Sequence, residues 1–228
     1  MGDEGRNRRG ALIFDFDGLV IDTESTDFES WRSVYADHGH DLPRGRWQAV
    51  IGTDDRAFDP LRHLKELMGG SLVEEDVHAT RRSRRDRLVE DLRPLPGVVT
   101  WIEAARVRGL ALAIASSSPR SWVEGHLIRI GLGSAFELLM TSDRVARVKP
   151  DPELYCRALE ELGVAPERAL AIEDSPNGVQ AAKGAGLYCV AVPGPMTRDL
   201  SFHAADLVIG SLAQADLDDI LRRRDARR

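Results

Sequence analysis

The sequence predicts an α/β protein, a doubly wound parallel sheet carrying an inserted α-helical domain. Three observations lead there. Short apolar runs without polar alternation recur along the chain, and strands that are apolar on both faces belong to sheets covered on both sides. Long helical stretches separate these runs, as parallel crossovers require. Between about Thr23 and Arg93 the strand-like runs stop, and apolar residues keep helical spacing instead.

Taken in order, Met1 to Gly10 is charged and lacks the apolar block of a secretory signal, so it reads as a frayed tail before the first strand, Ala11–Phe14. The insert follows, with Phe28, Trp31, Val34 and Tyr35, then Leu61, Leu64, Leu67 and Met68, then Val73, Val77, Leu88 and Leu92 as its helical apolar positions. It returns at the Pro94-Leu95-Pro96-Gly97 turn, so both crossings lie near the end of the first strand. The division is therefore residues 1–22 and 94–228 as the α/β core and 23–93 as the insert. The remaining strands are expected at Leu110–Ala115, Leu138–Thr141, Ala169–Ile172, Tyr188–Val192 and Leu207–Ile209. Ser118-Pro119, Asp151-Pro152 and Ser175-Pro176 each place a capping side chain before a proline suited to a first helical turn. Gly109, Gly163, Gly184 and Gly186 are the matching helix stops, and Arg222–Arg228 is a frayed basic end.

With 228 residues, 43% of them hydrophobic, the chain can bury a sizeable core. Its formal net charge of −6 argues against non-specific binding to nucleic acid or an anionic membrane, which leaves a small molecule as the expected partner. No apolar run is long enough to span a bilayer, because even Ala11–Val20 is broken by Asp15 and Asp17. Cys156 and Cys189 lack a CxxC spacing and read as reduced core thiols, which fits a cytoplasmic, soluble protein, expected as a monomer or weak homodimer.

The chemistry gathers at strand ends. Asp15-Phe16-Asp17-Gly18 runs a buried strand straight into two carboxylates, where parallel sheets bind ligands, and Gly18 implies a bend that separates their tasks. The bland alternative is a pair of solvated acids or helix caps. Ser116, Ser117 and Ser118 follow the second core strand and suit phosphate oxygens, with capping by Ser118 compatible with that role. Lys149 lies in Val148-Lys149-Pro150-Asp151-Pro152, and Glu173-Asp174-Ser175 is another acidic pair meeting a helix start. Each alone has a structural explanation. Together, several carboxylates, one lysine and a hydroxyl on one sheet edge make a site for Mg²⁺ and phosphate, since carboxylates clustered without a cation repel one another. Neither a GxxxxGK[ST] loop nor a GxSxG elbow exists, so an aspartate nucleophile forming an aspartyl-phosphate remains.

These four motifs, in this order between Ala11 and Gly210, resemble the haloacid dehalogenase superfamily, in particular its β-phosphoglucomutase-like phosphatase branch with a small helical cap. Gly18-Leu19-Val20-Ile21-Asp22-Thr23-Glu24 also resembles the entry to the cap in that branch. The resemblance implies a Rossmann-like core of the haloacid dehalogenase type. It makes Asp15 the nucleophile and a Mg²⁺ ligand, and Asp17 the general acid/base that also offers a backbone carbonyl to the metal. Ser116 would hold the phosphoryl group with Ser117 beside it, Lys149 would bridge that group and Asp15, and Asp174 would bind Mg²⁺ with Glu173 next to it. An acid at Asp17 favours phosphate chemistry over dehalogenation.

Where the phosphoglucomutases of the branch carry a cap histidine, this chain has Asp27, which moves the expectation from mutase to phosphatase. The competing classes are a sugar phosphomutase and a non-catalytic phosphate-binding protein. The basic run Arg81–Arg87 reads as a solvated helix face from which Arg82, or Arg56 nearby, could meet the substrate's phosphate. His38-Gly39-His40 reads as a polar turn. Trp31, Trp47, Trp101 and Trp122 read as core packing, with Trp47 alternatively lining the underside of the cap.

Overall fold

The computed structural model describes residues 10–52 and 58–227. Its sheet has six strands, all parallel: β1 (Ala11–Phe14), β2 (Ala111–Ala115), β3 (Leu138–Met140), β4 (Ala169–Glu173), β5 (Tyr188–Ala191) and β6 (Leu207–Val208), in the order β3-β2-β1-β4-β5-β6. The chain steps outward from β1 to β3, then restarts on the other side of β1 with β4. That reversal opens a crevice at the carboxyl ends of β1 and β4.

Alternation along the strands sorts the core into two faces. Ala11 and Ile13, Ala111 and Ala113, and Ala169 and Ala171 point one way, onto α7 (Glu153–Leu162) and α8 (Pro176–Gly184). Leu12 and Phe14, Leu112 and Ile114, and Leu170 and Ile172 point the other way, onto α5 (Val98–Val107), α6 (Arg120–Arg129) and α9 (Leu217–Asp225). Alanines dominate the first face, so α7 and α8 approach the sheet closely, whereas larger side chains fill the second.

Between β1 and β2 lie α1 (Thr23–Asp37), α2 (Arg44–Gln48), α3 (Pro60–Leu67) and α4 (Glu74–Glu90), which share a separate apolar cluster built on Trp31, Tyr35, Trp47, Phe58, Leu64 and Val77. The two strands of chain that join this insert to the sheet are tied together, since Leu95 N–H donates to Val20 O at 2.9 Å. Among the described residues no helix is long and apolar enough to cross a membrane.

Several sequence expectations need correction. Ser118 does not cap α6: Pro119 occupies the N-cap, Asp143 Oδ1 accepts from Arg120 N–H instead, and the serine hydroxyl is used elsewhere. Cys156 is exposed on α7, so only Cys189 is a core thiol. In the insert, Leu67, Val73 and Leu88 are exposed, because helical spacing names a face without saying whether a neighbour covers it. Trp47 is buried in the insert's own cluster against Phe28. Ser175 does cap α8 by accepting from Gly178 N–H, and the left-handed glycines Gly109 and Gly163 end α5 and α7.

Candidate active site

β1 delivers Asp15 to the crevice, where its N–H still pairs with Ile172 O of β4 at 2.9 Å. β4 ends on Glu173, and Asp174 follows. Lys149, at the turn before α7 and 1% exposed, reaches between the two acids: its ammonium is ion-paired to Asp15 Oδ1 and lies 2.7 Å from Glu173 Oε1. The Tyr155 hydroxyl donates to that same glutamate oxygen at 2.5 Å. Gly18 has φ +85, and a Cβ there would overlap the Asp174 carboxylate, so the bend read from the sequence is also a clearance for an acid.

The electrostatics follow from burial with too little positive charge. Burial pushes the Asp15 carboxyl up to about 8, against the pull of Lys149 and with a further push from Glu173. Asp174 is held well above the ordinary carboxylate range by burial and then by Asp15, Glu173 and Glu24. Burial alone would lower Lys149, but Asp15 and Glu173 outweigh it and keep the ammonium protonated. The donor set fits a hard cation. One oxygen each from Asp15, Glu173 and Asp174 lies within 4.8 Å of the others, all three residues are buried, and Glu173 Oε2 has no hydrogen-bond partner among the described residues.

Asp17 is set apart from this cluster. Its Oδ1 accepts from Thr23 Oγ1 at 2.7 Å and Trp122 Nε1 at 2.8 Å, and its Oδ2 accepts from Ser118 Oγ at 2.6 Å. Ser116, nearly fully buried, accepts from Ser118 N–H at 3.0 Å and leans toward Asp17 Oδ2 at 3.4 Å. Ser117 Oγ donates to Gly52 O at 3.0 Å, linking the phosphate-type loop to the insert. Asn177 Nδ2 does the same for Ile51 O at 2.8 Å. Arg56 lies outside the described residues.

A cavity of about 290 Å³ opens over Asp17, walled by Glu24, Asp27, Arg85, Ser118 and Trp122. Of these, the sequence reading gave Asp27 a bearing on the reaction and Ser118 a phosphate-binding or capping role, placed Glu24 at the cap entry, and took Arg85 as part of a solvated basic face and Trp122 as core packing. Glu24 lies in the first turn of α1, in the stretch read as the cap entry, and its carboxyl is pushed far up by burial and then by Asp17 and Asp27. Asp27 is paired with Arg81 at 2.7 Å. Arg82 is exposed and turned away, because Val77, Arg81 and Arg85 share a helical face that excludes it.

One consequence is local. A Cβ on Gly178 would overlap the Glu173 carboxylate. Gly178→Ala is therefore expected to lower stability by about 1–3 kcal/mol, the usual cost of overpacking a tight interior, as read by urea denaturation.

Fold and site together define a class: an α/β protein with a metal-type carboxylate cluster and a buried lysine at the topological switch of a parallel sheet. Residues 12–192 match the haloacid dehalogenase-like hydrolase family, and the chain belongs to it. It is 44% identical over 207 residues to "Putative phosphatase YhcW" of Bacillus subtilis, covering 91% of this chain and 94% of that one. It is 33% identical over 211 residues to the phosphorylated carbohydrates phosphatase of Thermotoga maritima, covering 92% and 96%. Among solved structures, CbbY from Rhodobacter sphaeroides in complex with xylulose-(1,5)bisphosphate superposes with a TM-score of 0.72 at 32% identity, covering 90% of this chain and 95% of that one.

Proposed function

We propose that the protein is a Mg²⁺-dependent phosphatase that hydrolyses small phosphorylated carbohydrates through a phosphorylated Asp15. The observation that carries this reading is the Asp15–Lys149–Glu173 arrangement beside Asp174, in which a buried carboxylate faces the crevice with a cation at its flank. In the first half-reaction an Asp15 oxygen forms a bond to phosphorus while the bond from phosphorus to the leaving oxygen breaks, and Asp17 gives that oxygen its proton. In the second, Asp17 takes a proton from water, the water oxygen bonds to phosphorus, and the bond to Asp15 breaks. Ser116 and Ser117 orient the phosphoryl oxygens, and Lys149 offsets their charge. Asp15, Asp174 and the Asp17 backbone carbonyl would hold Mg²⁺, with Glu173 beside it. When bound, Mg²⁺ offsets negative charge on the transferring phosphoryl group and on the crowded carboxylates.

Residues 23–93 act as a cap over this site, admitting substrate and excluding bulk water. The Arg81-paired Asp27 favours hydrolysis over mutase chemistry, since a carboxylate already engaged by an arginine supplies no cationic donor to shelter a phosphorylated intermediate. Followed by ³¹P NMR, hexose phosphate is expected to yield inorganic phosphate without a bisphosphate activator and without interconversion of the 1- and 6-phosphates. Isomerised sugar phosphate outrunning free phosphate would restore the mutase. Metal binding is read separately by heat: Mg²⁺ is expected to raise the unfolding temperature of the wild type and to have no such effect on Asp174→Ala.

A further inference from the structure

Trp122 touches both the Asp17 carboxyl, through its indole N–H, and the insert, through Arg85. We infer that Trp122 is a positioning residue: its indole N–H fixes the Asp17 carboxyl for proton transfer to the leaving group, and its ring seats Arg85 of α4, so that acid and cap are aligned by one side chain. The inference rests on the phosphatase reading with Asp17 as the proton donor.

Thr23, Ser118, Trp122 and, at 3.4 Å, Ser116 donate to Asp17, and they differ in kind. Thr23, Ser116 and Ser118 are hydroxyls, which rotate and can accept as well as donate. The indole N–H at 2.8 Å can only donate. Asp17 Oδ1 is thereby kept as an acceptor in either protonation state, which directs the catalytic proton to Oδ2, the oxygen on the Ser116 and Ser118 side. In the first half-reaction the Oδ2–H bond breaks as the proton passes to the leaving alkoxide oxygen, while phosphorus exchanges that oxygen for Asp15.

The ring itself is clamped. The His126 ring meets it edge-on, with centroids 4.2 Å apart, and the Arg85 guanidinium lies 4.8 Å from its centroid. Arg85 is four residues beyond Arg81, which is engaged by Asp27. The basic face of α4 thus divides its work, Arg81 holding α1 and Arg85 holding α6. Displacing α4 would release the indole from one side and loosen its hold on Asp17.

The test uses Trp122→Phe, which deletes the donor and keeps a smaller aromatic ring for Arg85. kcat/KM reports steps up to phosphoryl transfer onto Asp15, and only a poor leaving group needs the proton. For a hexose 6-phosphate it is expected to fall about 10- to 100-fold, and for p-nitrophenyl phosphate by less than about threefold. A structural defect would lower both alike, so equal losses overturn the inference, as does no loss on either substrate. A wild-type protein that releases phosphate from neither ester overturns the phosphatase reading and this inference with it. If Trp122→Phe fails to fold, Arg85→Met replaces it: a leaving-group-selective loss of about three- to tenfold is expected, and an unselective loss or none overturns the inference.

Discussion

Asp15→Asn is expected to lower turnover by roughly four orders of magnitude or more, because an amide has the shape of the carboxyl group but no anionic oxygen to attack phosphorus. The same substitution is expected to spare the fold. Asp15 is one of three clustered buried acids, two of which share a single lysine, and its carboxyl is pushed up to about 8 by that burial. An amide relieves the crowding and still accepts a hydrogen bond from Lys149, whose ammonium keeps Glu173 at 2.7 Å. The metal-free variant should therefore unfold at a urea concentration no lower than the wild type. Phosphate-release assays and urea denaturation on the same preparation check both halves. Near-native turnover would remove Asp15 as the nucleophile, and a large loss of stability would remove this account of the charge balance.

Lys149→Met is expected to fail in both respects. The ammonium is buried and compensates Asp15 and Glu173 at once, so its loss leaves two facing carboxylates without a cation. Removing one member of a buried pair costs about 3–5 kcal/mol, and loss of one electrostatic stabiliser at the reacting group costs about 10²–10³ in rate. The sign with pH is definite. Asp15 and Asp174 are already pushed up in the folded wild type by burial, and without the lysine they rise further. Their charged forms then oppose folding, so the penalty is smallest in mild acid, where the folded carboxyls keep their protons, and grows as pH rises through their raised values. Urea denaturation of the metal-free variant at about pH 6 and about pH 9 reads this difference, and equal penalties at both would contradict it.

The parts legible in the sequence were those whose signal is contiguous. Ala11–Phe14 running into Asp15, and Ala169–Ile172 running into Glu173 and Asp174, state in one line that a buried strand ends in acids. The parallel-sheet rule then supplies the juxtaposition of residues far apart in the chain. Lys149 was legible only through its company, since nothing local distinguishes a buried lysine from a surface one. What the chain hid depends on helix phase and on packing between separate elements. Arg81 and Arg85, rather than Arg82, face the site because the register of α4 against α1 and α6 decides which arginines point inward. Val77 marks that face, and counting by four from it was the available signal. Trp122 read as core because an aromatic residue on a helix usually is, and its N–H finds its acceptor across the sheet edge rather than along the chain. Ser118 looked like a cap for the complementary reason: the local pattern was right, but a nearby carboxylate was the better acceptor.

The fate of the phosphoryl group in the first turnover decides most directly whether Asp15 is the nucleophile. Enzyme mixed with labelled substrate and Mg²⁺, quenched in acid within one turnover and digested for mass spectrometry, should carry an acyl-phosphate on the peptide containing Asp15, and Asp15→Asn should carry none. Label on any other residue, or phosphate released in that turnover without a labelled peptide, would contradict it.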